Sequence, residues 1–173
     1  ATLLAHAGGP ALAAVAGALA AIEAAPIATV YLRYAAAPAL PVPAMPLVEA
    51  AARGDFGQWV FDRGALDARC LGVVSVVISA GGAHQGLDHA GLATAVARQL
   101  GAALGLPAPI AARVIVEKRA TVLPAPGLAR PPAVLPAPGL FIAGDAADSP
   151  YPSTIEGSVR SGLAAAGALL AAV

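Results

Sequence analysis

Gly139-Leu140-Phe141-Ile142-Ala143-Gly144-Asp145, then a loop from Ala146 to Pro152, then Ser153-Thr154-Ile155-Glu156-Gly157-Ser158-Val159-Arg160-Ser161-Gly162, is the stretch on which the fold turns. It reads as a buried strand, a short loop and a helix. Ser153 and Glu156 have the spacing of a capping box, in which the serine accepts from the Glu156 N–H and the glutamate reaches back. Behind them Ile155, Val159, Leu163, Ala166, Leu170 and Val173 recur at helical spacing and are expected to face the core. Gly157 and Ser161 make a small-residue patch on which another backbone, or a flat ligand, can lie closely. A strand end of this kind delivers Gly144 and Asp145 to a crevice, where the carboxylate accepts hydrogen bonds from sugar-like hydroxyls. The helix beginning near Thr154 offers free N–H groups and the positive end of its dipole. On local physics alone, an ordinary strand, loop and capped helix accounts for the segment better than a ligand site does.

Upstream, Ala11 to Ala24 is expected to be a helix stopped by Pro26, and Ile27 to Tyr34 a strand rich in β-branched and aromatic residues. Pro38 to Pro46 has four prolines and is a loop or extended connector. Trp59 to Arg63 reads as a short strand ended by Gly64, and Leu71 to Ser79 as a buried strand ended by Gly81-Gly82. Leu87 to Leu104 is helical, with Leu92, Val96, Leu100 and Leu104 on one stripe and Arg98 and Gln99 off it. Arg113 to Val122 alternates like a strand. Pro124 to Pro138 holds six prolines and is a loop. Its Leu123-Pro124-Ala125-Pro126-Gly127-Leu128 is echoed by Leu135-Pro136-Ala137-Pro138-Gly139-Leu140, an echo too short for a solenoid.

The chain has 173 residues, zero formal net charge and only 12% charged residues, which excludes a basic footprint for nucleic acid and an acidic tail. The single cysteine, Cys70, forbids an internal disulfide and fits a reducing compartment; it is expected to be a buried structural thiol. The apolar run Ala11 to Ile22 is short and mostly alanine against the about 20 residues that a bilayer span takes, so it reads as a buried helix. Peripheral membrane contact stays open. His6, His84 and His89 form no metal pattern, and His84 and His89 are expected to be solvated loop residues. Glu117-Lys118-Arg119 reads as a surface charge group or ion pair, or, in its functional version, as lining for a cofactor or substrate cavity through Lys118 or Arg119. Trp59 and Phe61 are read as core rather than as lining for an apolar substrate. Ser153 has no nucleophile elbow and no matching histidine, which rules out a hydrolase.

The string Ala143-Gly144-Asp145, Pro152-Ser153-Thr154-Ile155-Glu156-Gly157 and Ser161-Gly162 resembles the C-terminal FAD signature of the flavin amine oxidase/phytoene desaturase superfamily. Further segments narrow the resemblance: Pro26 to Arg33, Gln58 to Arg63, Val77 to Ala80, Glu117 to Thr121, Pro126-Gly127 and Arg130-Pro131 look like the bacterial squalene-associated FAD-dependent desaturases. The resemblance implies an α/β fold in which an α+β substrate-domain portion, residues 1–112, joins a crossover strand and the C-terminal strand–helix of an FAD-binding Rossmann-like domain, residues 113–173. It implies FAD as cofactor, with Asp145 near the ribityl and pyrophosphate groups, Gly144 beside it, and the backbone of Thr154, Ile155 and Glu156 at the isoalloxazine edge. It further implies an isoprenoid substrate, with loss of an allylic hydroxyl from hydroxysqualene to give squalene for hopanoid synthesis. Phytoene-type desaturation and amine oxidation are the rivals within the enzyme class. No catalytic acid can be named.

One departure stands out. These enzymes open on Gly-x-Gly-x-x-Gly after a first strand, and no such spacing occurs in the 173 residues. The expectation is therefore a fragment of a two-domain flavoprotein, without its N-terminal FAD-binding half and inactive alone, or one non-catalytic half of a split protein. The expected setting is the cytoplasm, with membrane association left open.

Overall fold

The computed structural model describes residues 9–38 and 40–172. His6, the opening Ala1 to Leu4 and Val173 lie outside the described residues. The chain forms two compact units, one from Pro26 to Lys118 and the other joining the described residues up to Ala25 to those from Arg119 onward. This grouping differs from a division at 112/113, because the first helix clusters with the C-terminal part.

The elements, in chain order, are α1 (Pro10–Ala20), β1 (Ala24–Arg33), β2 (Ala44–Pro46), β3 (Trp59–Asp62), α2 (Arg63–Leu66), β4 (Val73–Ser79), α3 (His89–Leu104), β5 (Ala111–Val122) and α4 (Ile155–Ala171). Mixed helix and sheet fits the α/β class. The sheet order is β2-β3-β4-β1-β5. The β1/β4, β2/β3 and β3/β4 pairs are all antiparallel. The first helix is shorter than expected: it ends at Ala20, and Pro26 lies inside β1 rather than stopping a helix. Proline is tolerated there because the β4 ladder begins one residue later, at Ile27↔Ser79.

In the unit Pro26–Lys118 the sheet has two unlike faces, as the period-2 alternation of strands requires. Ala28, Val30 and Leu32 of β1, Val60 of β3, and Val74, Val76 and Ile78 of β4 pack with Leu92, Val96 and Leu100 of α3 in one core. Asp88 caps α3 by accepting from Gly91 N–H, and Gly105 in the left-handed region ends it. Gln99 overturns its expected place off the buried stripe. It is 3% exposed. Its Oε1 accepts from Gly57 N–H at 2.7 Å, and its Nε2 donates to Val48 O and Gly57 O at 3.1 and 3.0 Å. These bonds satisfy backbone groups of the β2–β3 connection that no strand partner reaches. Next to it, Asp55 joins Arg98 and Arg53 at 2.8 and 2.9 Å.

The opposite face carries Thr29 and Tyr31 of β1, Val77 of β4, and Trp59 and Phe61 of β3, in the register Trp59↔Val77↔Thr29 and Phe61↔Ser75↔Tyr31. Trp59 is 47% exposed and Phe61 half-buried, the two rings stacked at 6.4 Å, so the pair is not core. The alternation that sends Val60 inward sends its two neighbours outward.

Two further expectations are corrected. Cys70 is half-buried on the short 3-10 turn Ala68–Cys70 before β4, not on the strand itself. His84 is buried in the turn Ala83–Gly86 with its ring against Phe56, whereas His89 is exposed at the start of α3.

In the other unit, Leu12 and Val15 of α1 pack with Leu135, flanked by Leu140 and Ile142. The buried strand expected at Gly139 to Asp145 does not form. Phe141 makes a single bridge to Val134, and Leu140 closes a turn onto Ala137 O. The reason is pairing: among the described residues no neighbouring strand supplies the hydrogen bonds that an extended segment needs. The echoed hexapeptides make the same turn twice, with Leu128 N–H donating to Ala125 O and Leu140 N–H to Ala137 O. Gly127 and Gly139, each at φ 74, take the position that only glycine occupies easily in a Pro-Gly turn. No helix among the described residues is long and apolar enough to cross a membrane.

Two predictions follow from this packing. Gln99→Leu strands three backbone groups without partners and should cost roughly 3 kcal/mol in urea unfolding. Burial holds the His84 imidazole below its ordinary value of 6.5, with Glu49 pulling weakly the other way. The unfolded chain therefore takes up this proton first, so stability is full above pH 6.5 and declines as pH falls through the folded value. His84→Phe should flatten that decline in pH-dependent melting.

Candidate functional site

The residues expected to form the site gather around the loop between Phe141 and α4, within a single unit. Gly144 adopts φ 122, which a side chain would resist, although a Cβ there would meet nothing within 4 Å. Glycine is needed for the bend, not for clearance. Its N–H donates to Ser161 Oγ at 2.8 Å, and that hydroxyl lies 3.1 Å from Gly144 O and 2.8 Å from Ser158 O. Ser161 is itself buried. The loop end is thus fastened to the second turn of α4 through one side chain.

Four residues earlier on the same helix face, Gly157 makes the close approach possible. A Cβ there would lie 2.5 Å from Pro152 O. The small-residue patch read from Gly157 and Ser161 is real, and the surface lying on it is the chain's own loop backbone. Ala165 continues this buried face. The expected core stripe is on the other side: Ile155 is 86% exposed, Leu163 70% and Leu170 78%, with Val159 exposed as well. Small side chains let backbone pack tightly against the helix, and that contact, rather than the apolar stripe, sets its orientation here.

The helix cap also differs from the expected box. Thr154 is the N-cap, its Oγ1 accepting from Gly157 N–H at 3.1 Å. Ser153 instead donates from Oγ to Asp145 O at 3.0 Å, while its own carbonyl accepts from Thr121 Oγ1 at 3.2 Å. Glu156 pairs with Arg160 one turn on, and Arg160 lies over the Tyr151 ring at 4.5 Å.

Asp145 lines a recess of about 180 Å³ with Glu23, Arg119, Thr121 and Ala146. Thr154, Ile155 and Glu156 do not line it; they lie on the adjacent surface, joined to Asp145 through Ser153. The Ile155 and Glu156 amides make no hydrogen bond among the described residues and are open to an acceptor. Two carboxylates, Glu23 and Asp145, beside Arg119 and Thr121, with free helix amides nearby, can hold a ligand having hydroxyls at one point and an electron-rich edge at another. Arg119 has its own partner within the chain and is part of the wall rather than a free cation. Arg130, quoted above only as part of a motif, fixes the loop by donating to Ser149 O and Tyr151 O at 2.6 and 3.3 Å. No sequence signal marked that role, which depends on a partner about twenty residues away. Among the described residues, no cluster of His, Cys, Asp and Glu could hold a metal ion.

Compared with known proteins, residues 9–170 match the family described as flavin containing amine oxidoreductase. A 62-residue stretch, 35% of the chain, is 47% identical to hydroxysqualene dehydroxylase of Rhodopseudomonas palustris (strain ATCC BAA-98 / CGA009). That alignment covers 15% of the relative's length.

The two glycines of α4 that flank this site should respond oppositely to alanine. Gly157→Ala forces the Pro152 carbonyl away and should destabilise by roughly 1–3 kcal/mol, with faster hydrogen exchange at the Gly144 amide. Gly162→Ala meets nothing within 4 Å, and its added helix propensity should stabilise by roughly 0.5–1 kcal/mol in the same unfolding experiment.

Proposed function

Because the chain belongs to the flavin-containing amine oxidoreductase family, we propose that the intact protein is an FAD-dependent oxidoreductase acting on an isoprenoid, and that its reaction is the reductive removal of the hydroxyl of hydroxysqualene to give squalene. The observation that carries the substrate class is the open face of the sheet, where Trp59 and Phe61 stack beside Val77, Thr29 and Tyr31. On this face the Trp59 ring is exposed and those of Phe61 and Tyr31 are half-buried, an aromatic surface that suits a long hydrocarbon better than a polar amine. The name of the partial relative supports the same class.

For the cofactor, the residues present fit. Asp145 would accept from ribityl hydroxyls, Gly144 would shape the bend beside it, and the free amides of Ile155 and Glu156, next to Thr154, would face the ring edge. When bound, the flavin supplies the hydride. The chain's own contribution is to orient, to exclude water along the aromatic face and to hold Asp145 in place through Ser153. The exposed stripe Ile155, Val159, Leu163 and Leu170 supports a further part of the reading: another portion of the flavin domain covers it in the intact protein. An isoprenoid substrate also favours a cytoplasmic enzyme that touches the membrane surface.

The test uses the full-length enzyme, reduced and free of oxygen. It should convert hydroxysqualene to squalene. Trp59→Ala should raise KM roughly tenfold while flavin stays bound. Asp145→Ala should lower flavin retention without unfolding the chain. Oxidation of phytoene, or of an amine, in place of squalene formation would move the protein to another branch of the family, and a full-length protein that binds no flavin would overturn the cofactor reading.

A further inference from the structure

The unit Pro26–Lys118 carries a second, partly open recess, formed by β1, β5, the start of α3 and the turn Ala83–Gly86. This cavity measures about 470 Å³, within the range of small-molecule sites, roughly 300–1,000 Å³. Its apolar wall comes from Pro26 and Ala28 of β1, Leu87, Leu92 of α3 and Val116 of β5. The polar lining is His84, Gln85, His89 and Lys118.

Two of these groups have no internal use. His84 is only 8% exposed, yet neither ring nitrogen makes a hydrogen bond among the described residues. Its ring meets Phe56 on one side and the cavity on the other. The ring nitrogens are not among the buried atoms left without a partner; they are reachable from the cavity, so a ligand entering it can bond one of them. Lys118 likewise makes no ion pair or hydrogen bond among the described residues, and it is the one full charge in the lining. Of the other polar groups nearby, Gln85 Oε1 accepts from Gly82 N–H, Asp88 caps α3, Glu49 accepts from Gln58, and His89 is exposed at the start of α3.

We propose that this cavity is a binding site for a single-chain amphiphile with an anionic oxygen head, carboxylate or phosphate, its chain lying along Ala28, Leu92 and Val116 and its head met by Lys118 and the His84 ring. The charge-assisted bond from Lys118 fixes the end of the ligand that carries charge. The neutral imidazole adds a second bond, and the apolar wall removes the chain from water. The site stands apart from the flavin reading: it needs neither cofactor nor turnover.

Calorimetric titration of the protein with dodecanoate, farnesyl phosphate and dodecanol tests it. Dodecanoate or farnesyl phosphate should bind saturably at one site, and whichever binds tighter assigns the head; dodecanol should bind at least about tenfold more weakly. Lys118→Gln should erase that preference by weakening the anion about tenfold. Val116→Trp should abolish binding by filling the space, and both positions are exposed on β5, so the fold tolerates the changes. His84→Phe keeps the ring packing on Phe56 and should weaken both anions. Absence of saturable binding, dodecanol binding as tightly as the anions, or undiminished binding in Val116→Trp would each overturn the proposal.

Discussion

The hydroxyl of Ser161 holds the Gly144 backbone against α4, and the placement of every candidate cofactor group follows from that contact. A serine at this point must reach across a gap that only a side-chain-free Gly157, one turn earlier, allows the loop to close. The bend at Gly144 turns the chain so that Asp145 enters a polar recess. Ser153 then ties the Asp145 carbonyl to the residue before the helix cap. These are short polar contacts to backbone, each modest in net free energy, but leaving any one unmade in a part-buried setting costs more than making it gains. The geometry is therefore set by satisfaction of hydrogen bonds more than by burial of large side chains.

The other unit solves the reverse problem. Its sheet buries one face under α3 with large aliphatic residues, and the register alone decides what is left on the other side. Trp59, Phe61 and Tyr31 could not be turned inward without moving Val60 and Val30 out. An aromatic face open on one side is an unfavourable exposure unless something apolar meets it, which is why the face has more bearing on substrate than any single titratable group in the chain.

Strands and helices with strong period were legible in the sequence. Leu92, Val96 and Leu100 fall on the buried stripe of α3, and the apolar run before Gly81 is the central strand β4. The local signature from Gly144 to Ser161 was also legible as a set of small and polar residues that belong together. What escaped was whatever depends on partners distant in sequence. Gln99 looked like a surface residue because its partners, Gly57 and Val48, lie more than forty residues away. His84 sits in a glycine-rich turn that reads as solvated, yet Phe56 covers it. The Phe141 segment has the composition of a buried strand, but composition cannot supply a neighbouring ladder.

The last helix shows the same limit and turns it into information. A periodic apolar stripe is a reliable sign of a face that must be covered, but it does not say by which part of the protein. In α4 the stripe of Ile155, Val159, Leu163 and Leu170 lies opposite the face that Gly157, Ser161 and Ala165 press against the loop. A helix with one face of small residues in contact and another of large apolar residues in solvent is shaped to lie between two layers. The inner layer is the chain's own loop, fixed by Ser161. On the proposed reading the outer one is apolar and extended along at least four turns of helix, which is the demand that a sheet meets and a small ligand does not.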